Sequence, residues 1–289
     1  MRHSYGKQLP GMDFFELAGK LIAIEGTDGA GRTTQINLLK PWLEEMGHAV
    51  LDTGMTRSHL AGEGIRRAKE GNNLGRVTQS LFYATDFIDR LENEIMPALR
   101  AGFIVLTDRY IYSLMARAIV RGVDAAWIRS IYSMALVPDA VFYLRVGVEE
   151  LIPRAVFSRG FDYWESGMDV FPGHDMYESF RNYQAALLAE FDRLSAEFNF
   201  ETVDASGDIG IVFAQLKSKI QRVLESSSGT AHVPKPRVER TLPSNYQFEN
   251  PFVSALVASA LREPSFSFQA AAPNHSNGNG NGHRVPQVK

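Results

Sequence analysis

Leu21-Ile22-Ala23-Ile24-Glu25-Gly26-Thr27-Asp28-Gly29-Ala30-Gly31-Arg32-Thr33-Thr34 decides the fold of this 289-residue chain. A short apolar run ends at Glu25, glycines follow at 26, 29 and 31, and Ile36, Leu38 and Leu39 then begin a helical spacing. Strand, tight turn and helix N-terminus therefore come in order. Gly26 and Gly31 have the separation of a phosphate-binding loop, Gly-x-x-x-x-Gly-Lys-[Ser/Thr], with Thr33 at its hydroxyl position. Backbone N–H groups in such a turn, added to the free donors and positive end of the following helix, make a concave anion site. The position of the loop's lysine is taken by Arg32, which keeps the charge but exchanges a compact ammonium for a planar guanidinium. On this reading Gly26, Gly29, Ala30, Gly31, Arg32, Thr33 and Thr34 hold the phosphates of a nucleotide donor. The plainer alternative is a glycine-rich turn joining a core strand to a helix.

Outward from that loop, residues 1–18 form a leader and the first strand covers Lys20 to Glu25. A helix runs from near Gly31 towards Gly47, a second strand covers Ala49 to Leu51, and a polar loop with Arg57 extends from Thr53 to Ala61. A long helix opens at Leu81 and ends around Gly102. Phe103 to Thr107 is an unbroken apolar run, the pattern of a strand buried on both faces of a parallel sheet. It delivers Asp108-Arg109-Tyr110 to its C-terminal end, where open α/β sheets bind ligands. Helices over 111–121 and 125–136, a strand over 141–146 and a helix over 148–157 follow. The polar, glycine-bearing stretch 157–173 reads as a mobile lid or a plain surface loop. A helix over 176–198, a strand over 200–204 and a last helix ending near Leu224 complete the pattern. Such alternation predicts an α/β fold with a doubly wound parallel sheet of about five strands. The domain spans 19–226, and 227–289 is an extension, largely low-complexity, with one possible short helix at 251–262.

Composition narrows the function. A net charge of −3 argues against general nucleic-acid binding, which calls for a strongly basic surface. The chain has no cysteine, so disulfides and thiolate metal sites are excluded, as suits a reducing cytoplasm. No run approaches the ~20 apolar residues of a membrane span. The expectation is a soluble, cytoplasmic protein acting on small molecules.

Phosphoryl transfer requires a cradle for the donor phosphates, a hydroxyl and carboxylate for Mg²⁺, and cations to screen the moving charge. The chain supplies Thr33 and Asp108 for the metal, Arg109 between donor and acceptor, and Arg154 and Arg159 from the lid side, beside Arg32.

These motifs resemble the thymidylate kinases, nucleoside-monophosphate kinases of the P-loop NTPase fold. The markers are Ile24 to Gly31, Ile95-Met96-Pro97-Ala98-Leu99, Val105-Leu106-Thr107-Asp108-Arg109-Tyr110 with Ser113, and Pro138-Asp139 before a Phe-Tyr-Leu strand. The resemblance implies ATP and Mg²⁺ as cofactors, dTMP as acceptor and a homodimer. It implies that Asp28 binds the sugar 3′-hydroxyl, Arg109 the acceptor phosphate, and that Tyr83 stacks on the base. Gly29, with Arg154 and Arg159, resembles the version in which the lid supplies the catalytic cations. The base site departs from the pattern, because Phe87 stands where an arginine usually reads thymine and Arg117-Ala118 replaces a Tyr-Gln pair. Thr53-Gly54-Met55-Thr56-Arg57 likewise lacks the acidic member of its loop. With Phe87 unable to donate to the base, Arg117 is the candidate donor and base selectivity is expected to be relaxed. The alternatives are a kinase for another (deoxy)nucleotide, or a nucleotide-binding protein whose turnover is weak because of Arg32.

Overall fold

In the computed structural model, the described residues are 3–6, 17–71, 74–158 and 160–225. Most of the leader, Arg159, the extension 227–289 and its possible helix at 251–262 lie outside them.

The elements are β1 (Lys20–Glu25), α1 (Arg32–Glu45), β2 (Val50–Gly54), α2 (Gly62–Glu70), α3 (Arg76–Arg90), α4 (Met96–Arg100) and β3 (Ile104–Asp108). They continue with α5 (Ile111–Val120), α6 (Ala125–Ile131), β4 (Ala140–Arg145), α7 (Val148–Ser158), α8 (Met176–Phe198), β5 (Glu201–Asp204) and α9 (Ile209–Glu225). The five strands form one parallel sheet in the order β2-β3-β1-β4-β5.

Strand alternation divides the core in two. Leu21, Ala23 and Val105 face a cluster with Phe87, Leu91, Leu114, Tyr183 and Leu187, drawn mainly from α3, α5 and α8. Ile22, Ile24, Ile104 and Leu106 face a second cluster with Ile36, Leu39, Leu216 and Ile220 of α1 and α9. Helices on both faces explain why β1 and β3 read as continuous apolar runs. The same arrangement brings the C-terminal ends of β1 and β3 side by side, with Ile24 opposite Asp108, so the glycine loop and the Asp108 turn emerge together.

Several boundaries differ from the sequence expectation, each for a physical reason. Helix α2 follows the expected loop 53–61 in a stretch to which the sequence assigned no element: GEGIRRAKE buries only Gly62 and Ile65, so a single large apolar residue is all there is to detect. Helix α3 begins at Arg76 rather than Leu81, because Arg76, Val77 and Thr78 carry little burial to signal it. Between α3 and α4 the chain makes a π-helical turn, Leu91–Ile95, just before Pro97, which has no N–H to continue the regular ladder. Strand β2 runs on through the polar Asp52-Thr53-Gly54, held by its register with β3.

Two peripheral segments are tied to the body. In the leader, Tyr5 N–H donates to Ala135 O at 3.1 Å and Val137 N–H to His3 O at 3.0 Å. In the expected lid, Trp164 is buried and its Nε1 donates to Lys69 O of α2 at 2.9 Å, while Asp169 pairs with Arg121 at 2.8 Å.

Candidate active site

The glycine loop builds the floor of the site. Gly26 has φ +148°, and a Cβ there would lie 2.7 Å from Leu144 O, so backbone freedom and close approach both require glycine. Gly31, in the left-handed region at φ +90°, turns the chain into α1, whose first N–H groups have no helical acceptor.

The expected metal pair is adjacent: Thr33 Oγ1 donates to Asp108 Oδ2 at 2.6 Å. Both are hard oxygen donors, suited to Mg²⁺ completing its shell with water and phosphate. Among the described residues there is no cluster of three or more His, Cys, Asp or Glu side chains placed to hold a metal unaided. Burial alone raises the Asp108 pKa, but the Arg32 and Arg109 charges and the Thr33 hydrogen bond outweigh it and hold the carboxyl at about 2. It is therefore an anion at neutral pH.

Arg32 turns inward. Its Nε donates to Asp108 Oδ1 at 2.9 Å, and its Nη1 to Gly26 O at 2.6 Å and to Thr27 O. The guanidinium thus ties loop carbonyls to the Asp108 carboxylate while still lining the cleft.

Arg109 has φ +69°, a conformation disfavoured for a side-chain-bearing residue. Three contacts hold this turn: Arg109 N–H donates to Ile24 O at 3.1 Å, Thr107 Oγ1 donates to Arg109 O at 2.7 Å, and Glu25 Oε1 accepts from Tyr110 N–H at 2.8 Å. Glu25 Oε2 also accepts from Ser113 Oγ at 2.5 Å. Burial pushes the Glu25 carboxyl above the usual carboxylate range, against the pull of these donors. The turn aims Arg109 at Asp28, whose second oxygen pairs with Arg117 from α5. One carboxylate thus sits between two guanidiniums. Burial disfavours the charge on Arg117, and Asp28, together with Tyr183, Tyr83 and Glu165, more than restores it.

A cleft of about 710 Å³ gathers Asp28, Gly29, Ala30, Gly31, Arg32, Thr33, Thr34, Arg109 and Arg154. Arg154, on α7, lies along its rim, donating from Nη2 to Ala205 O at 2.9 Å and approaching Gly29 O at 3.4 Å. Gly26 lies beneath. Tyr83 and Arg117 line a separate small cavity with Gln79, Leu114 and Tyr132. Phe87 reaches neither cavity lining: fully buried, it packs edge-on against Tyr110 and Tyr132 at ring centroid distances of 5.2 and 5.7 Å.

Other groups at the site escaped the sequence reading. The loop from Ala205 to Ile209 walls the cleft beyond Arg154, and Glu165 joins it from the lid stretch. Lys69 faces Arg117, Asp162, Glu165 and Asp28, and burial and the Arg117 charge lower its pKa. Lys69 lies on α2, whose single large apolar residue is Ile65. The alternation of strand and helix gave the only signal for the 205–209 loop, at the C-terminal end of β5.

A parallel sheet with a glycine loop between its central strand and a helix, and a hydroxyl–carboxylate pair at the loop's mouth, defines a phosphate-binding-loop nucleotide protein. Residues 24–215 match the thymidylate kinase family. The probable thymidylate kinase 2 of Saccharolobus solfataricus is 36% identical over 213 residues, covering 73% of this chain and all of that relative. The thymidylate kinase of Thermosipho africanus is 30% identical over 211 residues, covering 71% of this chain and 99% of its own. The probable thymidylate kinase of Pyrococcus horikoshii is 35% identical over 144 residues, 48% of this chain and 70% of its own. The chain belongs to the thymidylate kinase family.

Proposed function

We propose that this chain transfers the γ-phosphoryl group of ATP to dTMP in the presence of Mg²⁺. The observation that carries the reading is the meeting, at one sheet edge, of the Thr33–Asp108 pair with the Asp28–Arg109 pair. The first suits a donor's phosphates and metal, and the second suits an acceptor's sugar and phosphate. The names of the relatives point to the same reaction.

In the mechanism, an acceptor phosphate oxygen attacks the γ-phosphorus in line, with charge spread over the equatorial oxygens. Gly26 to Thr34 cradle the donor phosphates through backbone N–H groups. Bound Mg²⁺ neutralises charge on the donor phosphates, and Thr33 and Asp108 would hold it. Arg109 takes the acceptor phosphate and screens the charge developing between the two substrates, with Arg154, and Arg159 of the lid stretch, on the donor side. Asp28 receives the sugar hydroxyl and Tyr83 stacks on the base. Glu25 holds the strained turn and so sets where Arg109 points. Catalysis is positioning and charge stabilisation, with no protein nucleophile.

Arg32 favours a second reading, slow turnover, since its donors are engaged by Asp108 and two loop carbonyls. Among the described residues no helix is long and apolar enough to cross a membrane, which accords with a cytoplasmic enzyme. A homodimer is the expected assembly. The test is ADP release from ATP and Mg²⁺ with dTMP: multiple turnovers support the kinase, and nucleotide binding without release supports the second reading.

A further inference from the structure

The small cavity beside Tyr83 holds a group the proposed mechanism does not use. Tyr132, on the short 3₁₀ turn that follows α6, lines it and is 1% exposed, yet its hydroxyl has no hydrogen-bond partner among the described residues. A buried, unpaired phenol is costly and marks a place where a ligand can supply the missing bond. The cavity's other polar walls are Gln79 and Ser80 of α3 and Arg117 of α5, and Leu114 and Ala118 are its apolar side.

Two features frame the hydroxyl. Phe87 packs edge-on against the Tyr132 ring, so the residue at the usual arginine position now seats the phenol. Arg90, one helical turn further along α3, is 1% exposed; its Nε donates to Asp86 at 3.1 Å, but its Nη1 is unpaired among the described residues. Asp86 is also occupied by Thr56 N–H and Ser58 N–H, each at 3.0 Å. A guanidinium only donates and cannot accept the phenol's proton. Burial, with the Tyr83 and Asp86 charges, outweighs the Arg90 charge and keeps the phenol protonated, so its O–H can donate into the cavity that Tyr132 lines.

We infer that Tyr132 is a specificity-determining residue of the acceptor site, its hydroxyl donating to the 4-keto oxygen of a pyrimidine stacked on Tyr83. This deepens the proposed function and rests on it. In the present conformation the cavity is only about 10 Å³, the scale of one water, so a base enters only as its wall moves. Arg117 is the wall that can move. It is held to Asp28, and a sugar hydroxyl taking that carboxylate releases it. A 4-amino base such as cytosine presents a donor to a donor and is disfavoured. Discrimination between keto and amino bases is therefore kept despite Phe87 and Ala118, whereas thymine and uracil differ only against the apolar wall of Leu114 and Ala118.

The test compares wild type and Tyr132→Phe, which removes one oxygen and keeps the ring, on dTMP, dCMP and the 2-pyrimidinone deoxyribonucleotide that lacks the 4-oxygen. Wild type should prefer dTMP to the 2-pyrimidinone analogue by tenfold or more in kcat/KM, and the variant should lose that preference, mainly through KM. The ratio of dTMP to dCMP should fall by a similar factor, with ATP affinity and Tm unchanged. Equal selectivity in the two proteins overturns the inference and leaves the proposed function standing. Equal use of dTMP and the 2-pyrimidinone analogue by wild type overturns it without the variant. Failure of wild type to phosphorylate any nucleoside monophosphate overturns the proposed function instead.

Discussion

The donor and acceptor halves proposed for this site are built from different materials. The donor half is mostly backbone: glycines at positive φ, the N-terminus of α1, and the aligned ends of β1 and β3. The acceptor half is mostly side chains, with Asp28 shared by Arg109 and Arg117, and Gln79 and Tyr83 of α3 meeting Tyr132 from a separate segment. A backbone cradle tolerates little change in sequence. A side-chain pocket can be rewritten one residue at a time while the fold stays fixed, and Arg117 and Ala118 fall there, with Phe87 in the layer behind.

The sharpest way to break this contrast is to disturb the backbone half. Gly26→Ala must move Leu144 O, 2.7 Å from the new Cβ, and accept a φ of +148°. Nucleotide binding should be abolished and Tm should fall, measured by ATP titration and thermal melting; an intact ATP site would show that the cradle is more pliant than the contacts imply.

Next in size is Arg109→Ala on the acceptor half. It should lower kcat by about 10²–10³, the loss expected when one electrostatic donor to the transition state is removed. ATP affinity should persist, because the proposed mechanism assigns Arg109 to the acceptor; a variant that lost ATP binding and kept turnover would reverse the two halves.

Glu25→Ala probes the joint between them. It leaves Tyr110 N–H and the Ser113 hydroxyl unpaired in the core, at a cost of about 1–3 kcal/mol. Stability should drop and kcat should fall with it as Arg109 loses its aim, with Glu25→Gln recovering part of both. Full activity in the destabilised alanine variant would separate the turn from catalysis.

The smallest effect expected is at Arg32. Arg32→Lys keeps the charge but cannot span Asp108 and both loop carbonyls as the fork does, so turnover should change by less than about tenfold. Arg32→Ala, which leaves Asp108 without its buried partner, should cost several-fold more in kcat/KM.

The same contrast explains what could be read from sequence. The glycine spacing, the apolar runs of β1 and β3 and the Asp108-Arg109-Tyr110 turn are local patterns set by backbone physics, and the five-strand parallel sheet followed from them. Thr33 and Asp108 were placed together because strand ends in such a sheet must be neighbours. Helix α2, with Lys69, was missed because a helix with one large buried side chain has no stripe. Tyr132 does not stand out in the sequence, since nothing local marks a hydroxyl that ends up buried without a partner among the described residues. Phe87 was expected at the base from its alignment with an arginine, and it lies one layer behind, supporting Tyr110 and Tyr132.

The central claim is a dTMP kinase whose backbone half serves ATP and whose side-chain half chooses the base. Its most direct test is steady-state ADP release from ATP and Mg²⁺ against dTMP, dUMP, dCMP and dGMP. The account predicts the highest kcat/KM for dTMP, with dUMP nearest and dCMP well below; ADP release that no nucleoside monophosphate stimulates would contradict it.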